Sequence, residues 1–103
     1  MKTRVELYRE MVNGILDILE DYDIYSREQI LKSRNADCLE YRAVLVSALV
    51  SKSLTDLRIA NILELSLQQV YRMKRLSIEL SRDKNSVYSI LLPIIKNYVS
   101  SIE

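Results

Sequence analysis

Apolar residues recur along this chain at intervals of three and four. Val5, Tyr8, Met11, Val12, Ile15, Leu19 and Tyr22 trace one face of an amphipathic helix of about five turns. Gly14 lies inside that helix and costs about 1 kcal/mol against Ala, so it marks a close helix contact. Ser26-Arg-Glu-Gln29 is a capping box that opens a short helix carrying Ile30 and Leu31. Lys32 to Asp37 follows as a polar, basic loop, with Asp37 and Glu40 as caps of the next helix. That helix, 38–51, is apolar nearly all round, which predicts a buried central helix.

Ser53 or Thr55 caps a helix through Leu63, and Ser66-Leu-Gln-Gln69 is a second capping box, opening a helix to Ser81. Asp83 or Asn85 begins a last helix with Val87, Tyr88, Leu91, Ile95, Tyr98, Val99 and Ile102 on its apolar face. Pro93 removes a backbone donor there and predicts a kink or break near 89–93. Strand-like alternation is rare. The pattern predicts an all-α fold of five to six helices, with residues 1–103 as one domain.

Composition narrows the chemistry. The 103 residues include no His, which removes Ser-His-Asp and Cys-His nucleophile pairs and imidazole metal sites. One Cys makes neither an intramolecular disulfide nor a Cys-rich zinc site, and a reducing cytoplasmic compartment is the expectation. One Gly cannot build a phosphate-cradling loop. The first residues lack the apolar run of a signal peptide. The longest apolar block, Ala43 to Val50, holds Ser47 and is too short to span a bilayer. The reading is of a protein that is not an enzyme, with no cofactor, metal, membrane or small-molecule substrate.

The formal net charge of +1 conceals a division. Residues 1–31 carry four basic and seven acidic groups, whereas residues 32–103 carry eleven basic and seven acidic ones. Such asymmetry suits a negatively charged partner touching one face.

Residues 55–75 match a helix-turn-helix. Ala60 supplies the small residue needed where two steeply crossed helices approach. Ile59 and Leu63 point inward, Leu65 plugs the turn, and Val70 and Met73 anchor the second helix. Glu64 stands at the left-handed position where Gly is usual. With Val70 and Met73 facing the core, Leu67, Gln68, Gln69, Tyr71, Arg72 and Arg75 face solvent. Those types suit a major groove: Gln pairs with adenine, Arg with guanine or phosphate, and Leu67 meets a thymine methyl. Ser66 and the free amides at the helix start suit a phosphate. Lys74, Arg82 and Lys84 suit general phosphate contacts.

The order of elements resembles the C-terminal DNA-binding domain of the bacterial replication initiator DnaA, a Trp-repressor-like fold, over roughly residues 14–101. The likeness rests on Tyr22-Asp-Ile24, Ile30-Leu-Lys-Ser-Arg34, Arg42, Ser53-Leu54, Ile59-Ala60 and Ser66 to Val70. It implies a helix in the major groove and a basic loop, here Lys32 and Arg34, reaching the minor groove. The family's Asp-His-Thr-Thr signature falls on Ser66, Leu67, Gln68 and Gln69, and none of the four is kept. LuxR-type and sigma-factor domains share the Leu54 to Arg75 spacing but not the preceding helices.

Other clusters read more plainly. Asp17, Glu20, Asp21 and Asp23 are expected to be a solvated helix end rather than a cation site. Cys38 is expected to be a small structural thiol, and the tyrosines at 8, 22, 41, 88 and 98 core residues. Tyr71 alone is expected on an exposed face. The leading function is therefore double-stranded-DNA binding in transcription or replication, with a homodimer compatible. The rival is a protein-interaction module that docks a partner through the first or last helix.

Overall fold

In the computed structural model, which describes residues 1–102, six helices account for the regular structure and no strand occurs among the described residues. They are α1 (Arg4–Tyr22), α2 (Arg27–Lys32), α3 (Ala36–Ser51), α4 (Asp56–Leu63), α5 (Leu67–Ser81) and α6 (Val87–Ser100). No helix is long and apolar enough to cross a membrane among the described residues.

α3 is the hub, packed against each of the other five helices. Its Ala43, Val44, Leu45, Val46, Ala48 and Leu49 are all sealed from solvent, as a helix apolar on every side must be. Ile15 and Leu19 of α1, Ile30 of α2, Ile59 of α4, Val70 of α5 and Ile95 of α6 join it in one core. Polar groups inside are satisfied: Ser47 Oγ lies 2.9 Å from Ser77 Oγ and 3.0 Å from Tyr88 Oη, which links α3, α5 and α6.

The helix starts follow cap chemistry. Capping boxes open α2 (Ser26 with Gln29) and α5 (Ser66 with Gln69), and a third, Thr3 with Glu6, opens α1. Two expected caps lie elsewhere. Asn35 rather than Asp37 caps α3, its Oδ1 accepting the Asp37 N–H at 2.8 Å. Asp37 and Glu40 accept from other elements instead, from Tyr25 Oη–H at 3.0 Å and from the Tyr88 N–H at 3.0 Å. Ser86, not Asp83 or Asn85, caps α6. The basic loop shrinks to 33–35, since Lys32 ends α2 and Asp37 lies in the first turn of α3.

α6 runs unbroken through Pro93. Pro93 faces solvent, where the carbonyl that loses its usual partner can be hydrated, while Tyr88 and Leu91 before it and Ile95 and Val99 after it are buried. Packing on both sides of the proline outweighs the missing bond. Two apolar assignments in α1 also fail: Val5 and Tyr22 are exposed, because both lie at the ends of the helix. Gly14 does mark a close contact. A Cβ there would overlap the Tyr98 hydroxyl, and even Cε2 of that ring would stand only 2.9 Å away.

Candidate nucleic-acid interface

α4, a three-residue turn and α5 form the expected helix-turn-helix pair. Ile59, Ala60, Leu63, Val70 and Met73 are buried, and Leu65 in the turn is half-buried against the core. Glu64 adopts the left-handed conformation itself, at φ 56° and ψ 42°. The Leu65 N–H donates to the Ala60 carbonyl at 2.9 Å and the Glu64 N–H to Asn61 at 3.4 Å, the paired bonds of a Schellman turn. The same device ends α3, with Ser53 at φ 66° and the Leu54 N–H donating to the Leu49 carbonyl at 3.3 Å. Burial of Leu65 and Leu54 behind these turns offsets the strain of a side chain at positive φ.

Leu67, Gln68, Gln69, Tyr71, Arg72 and Arg75 of α5 are all exposed, as the spacing requires. At about 100° per residue, Gln68 and Arg75 lie nearly opposite the buried Val70, Met73 and Ser77 stripe. Leu67, Tyr71 and Lys74 turn to one side, Gln69 and Arg72 to the other. Lys74 is committed within the fold: its Nζ donates to Asp56 Oδ1 at 3.0 Å, which ties α5 to the first turn of α4. Gln69 is also partly committed. Its Oε1 accepts the Ser66 N–H at 2.8 Å, and Ser66 Oγ accepts the Gln69 N–H at 3.1 Å. A two-bond contact needs both ends of the amide, which the capping box denies to Gln69.

The structure brings together two groups that are far apart in sequence. Lys32 and Arg34, Leu39 and Arg42 of α3, and Gln69, Arg72 and Met73 of α5 line one cleft of about 370 Å³. A neighbouring hollow shares Leu39, Arg72 and Met73 and adds Arg75, Leu76 and Glu79. The first cleft holds four cationic side chains and no carboxylate. The hollow of about 320 Å³ between α1 and α4 differs, since Arg9 there shares the wall with Glu64.

Acidic groups are engaged elsewhere. Arg27 binds Asp17 and, at 2.9 Å, Glu20, and these carboxylates hold its pKa up. Asp23 accepts from Tyr41 Oη–H at 2.6 Å, which with the Ile24 N–H holds the Asp23 carboxyl below its ordinary range. Three members of the acidic cluster thus serve the fold, and no group of three metal-ligating side chains occurs among the described residues. Cys38 is buried, and burial pushes its thiol pKa up rather than down.

The residue that sequence reasoning left out of the site is Arg42. Its Nε donates to the Ile30 carbonyl at 2.9 Å and its Nη2 to the Ser33 carbonyl at 2.7 Å, fixing the end of α2 and the basic loop against α3. The signal was available as the one cation of a helix that is apolar nearly all round, immediately before the apolar block that begins at Ala43, where a charge is drawn into the core. Compared with family models, curated proteins and solved structures, the chain matches none.

Proposed function

We propose that this chain is a small double-stranded-DNA-binding protein of the helix-turn-helix type, a regulator of transcription or replication. α5 enters the major groove with Gln68, Arg72 and Arg75 toward bases or phosphates, and Lys32 and Arg34 reach the adjoining backbone or minor groove. The single observation that carries this reading is the shared cleft, in which cations of the basic loop and of α5 converge without a carboxylate. Neutral and basic ligands gain nothing from such a surface, whereas a polyanion gains at every cation. The resemblance to the DnaA DNA-binding domain agrees with this docking, although the changed residues at 66–69 imply a different target sequence.

The test is fluorescence anisotropy with a random-sequence duplex at low and moderate salt. Affinity is expected to fall steeply as salt rises, because phosphate contacts release counterions. Replacing Arg72 and Arg75 together with Ala should abolish binding and leave the helical circular dichroism intact. Unchanged affinity in that variant rejects the assignment.

One observation favours the rival reading of a protein-interaction module. Ile90 and Ile94, one turn apart on α6, are 48% and 51% exposed beside the exposed Pro93. That reading requires a stable homo-oligomer or bound partner by light scattering and no salt-sensitive DNA affinity.

A further inference from the structure

Arg42 is only 5% exposed, yet no carboxylate faces it. Among the described residues the ion pairs use Lys2, Arg27 and Lys74, never Arg42. Its two partners are carbonyls at the end of α2, which carry partial negative charge. They fix the plane of the guanidinium without cancelling a full charge. Burial pulls its pKa down, opposed by the neighbouring Cys38 and by no acidic residue. A buried charge ordinarily has a counter-charge, and this one has none within the fold.

The free end of the guanidinium points to where the counter-charge belongs. Nε and Nη2 are engaged, while Nη1 bonds to no protein group. Every fully buried side-chain nitrogen and oxygen among the described residues has a partner, so Nη1 is not sealed in. Arg42 is also one of the residues that line the cleft, together with Lys32, Arg34 and Arg72. Four mutually repelling cations around one recess are stabilised by an anion. A guanidinium already held in plane offers its remaining donors without further ordering.

We infer that the cleft is a seat for a single phosphate group, with Arg42 as its fixed floor and Arg72, Lys32 and Arg34 around its rim. The inference rests on the DNA-binding reading for its occupant, a backbone phosphodiester of the duplex whose major groove receives α5. Mobile surface lysines lose rotamer freedom on meeting a phosphate, whereas Arg42 has been immobilised by folding. The seat therefore fixes the register of α5 on the duplex as well as adding affinity.

The Arg42 Nε–Hε resonance in a nitrogen-15 spectrum reports the seat in the wild-type chain, and its absence from the R42K spectrum assigns it. Random-sequence duplex and inorganic phosphate are added in separate arms, and both are expected to move it. In anisotropy R42M should lose at least tenfold in duplex affinity, and its log affinity against log salt should flatten by about 0.9, one phosphate contact. Should R42M lose helical circular dichroism, R42K serves instead: it keeps charge and stem, and unchanged affinity in it overturns the seat. Duplex binding with a motionless Arg42 resonance overturns the seat and leaves DNA binding standing. A shift with inorganic phosphate but no duplex affinity supports the seat and overturns DNA as its occupant.

Discussion

Replacing Gly14 with Ala separates two effects that ordinarily point the same way. In an exposed helix interior the change stabilises by about 1 kcal/mol, because Ala loses less backbone entropy. Here the new Cβ would overlap the Tyr98 hydroxyl and stand 2.9 Å from Cε2, against about 3.5–4.0 Å for an ordinary carbon contact. The ring must leave. Tyr98 is half-buried. Full burial of a large apolar side chain is worth about 1.5–3 kcal/mol, so expelling the ring forfeits about 1–1.5 kcal/mol. The gap left between α1 and α6 adds roughly 1 kcal/mol. G14A in the wild-type background is therefore expected to destabilise by about 1 kcal/mol. In a Y98A background nothing opposes the new methyl, and the same substitution should stabilise by about 1 kcal/mol. Urea unfolding of the four proteins, followed by circular dichroism, measures the coupling. Equal stabilisation by G14A in both backgrounds would refute the packing of Tyr98 on Gly14.

Three further outcomes follow from the same geometry. E64G removes a side chain from a φ of 56° and should raise stability by about 1 kcal/mol, seen as a rise of several degrees in Tm; a fall would mean that the Glu64 side chain supports the turn. The Asp23–Tyr41 bond makes stability fall at both pH extremes. The Asp23 carboxyl sits below its unfolded value of about 3.9, so its contribution is present above that pH and lost as pH falls through the folded value. The Tyr41 hydroxyl is raised by burial and by Asp23, so its contribution is complete below pH about 10 and lost as pH rises further. D23N should flatten the acid side of a Tm-against-pH curve, and an unchanged curve would count against the bond. Finally, the buried Cys38 thiol should react with a disulfide reagent only as fast as the chain opens, so prompt reaction in native buffer contradicts its burial.

The helices were legible because each announces itself locally. The capping boxes at 26–29 and 66–69 and the apolar circumference of α3 involve only neighbours in sequence. The errors fell where a distant element competes for the same group. Asp37 and Glu40 look like caps of their own helix, yet Tyr25 and the start of α6 take them. Pro93 reads as a break until the buried residues on either side of it are counted. The exposed face of α5 could be read from its spacing alone. The cleft could not, since it exists only where α3 carries the loop beside Arg72.

α4 behaves as a short strut between two stiff joints. Ser53 and Glu64, just outside its ends, both occupy a conformation that glycine would reach freely and that they reach only at a cost. Glycine joints would swing, whereas these side chains have few other conformations to visit. The Lys74–Asp56 bond braces the strut a third time. The angle at which α5 lies on α3 is thereby set by these joints and by its buried Val70, Met73 and Ser77 rather than by the residues it presents outward. The outward positions 68, 72 and 75 are free to vary in what they contact without disturbing how the helix is aimed.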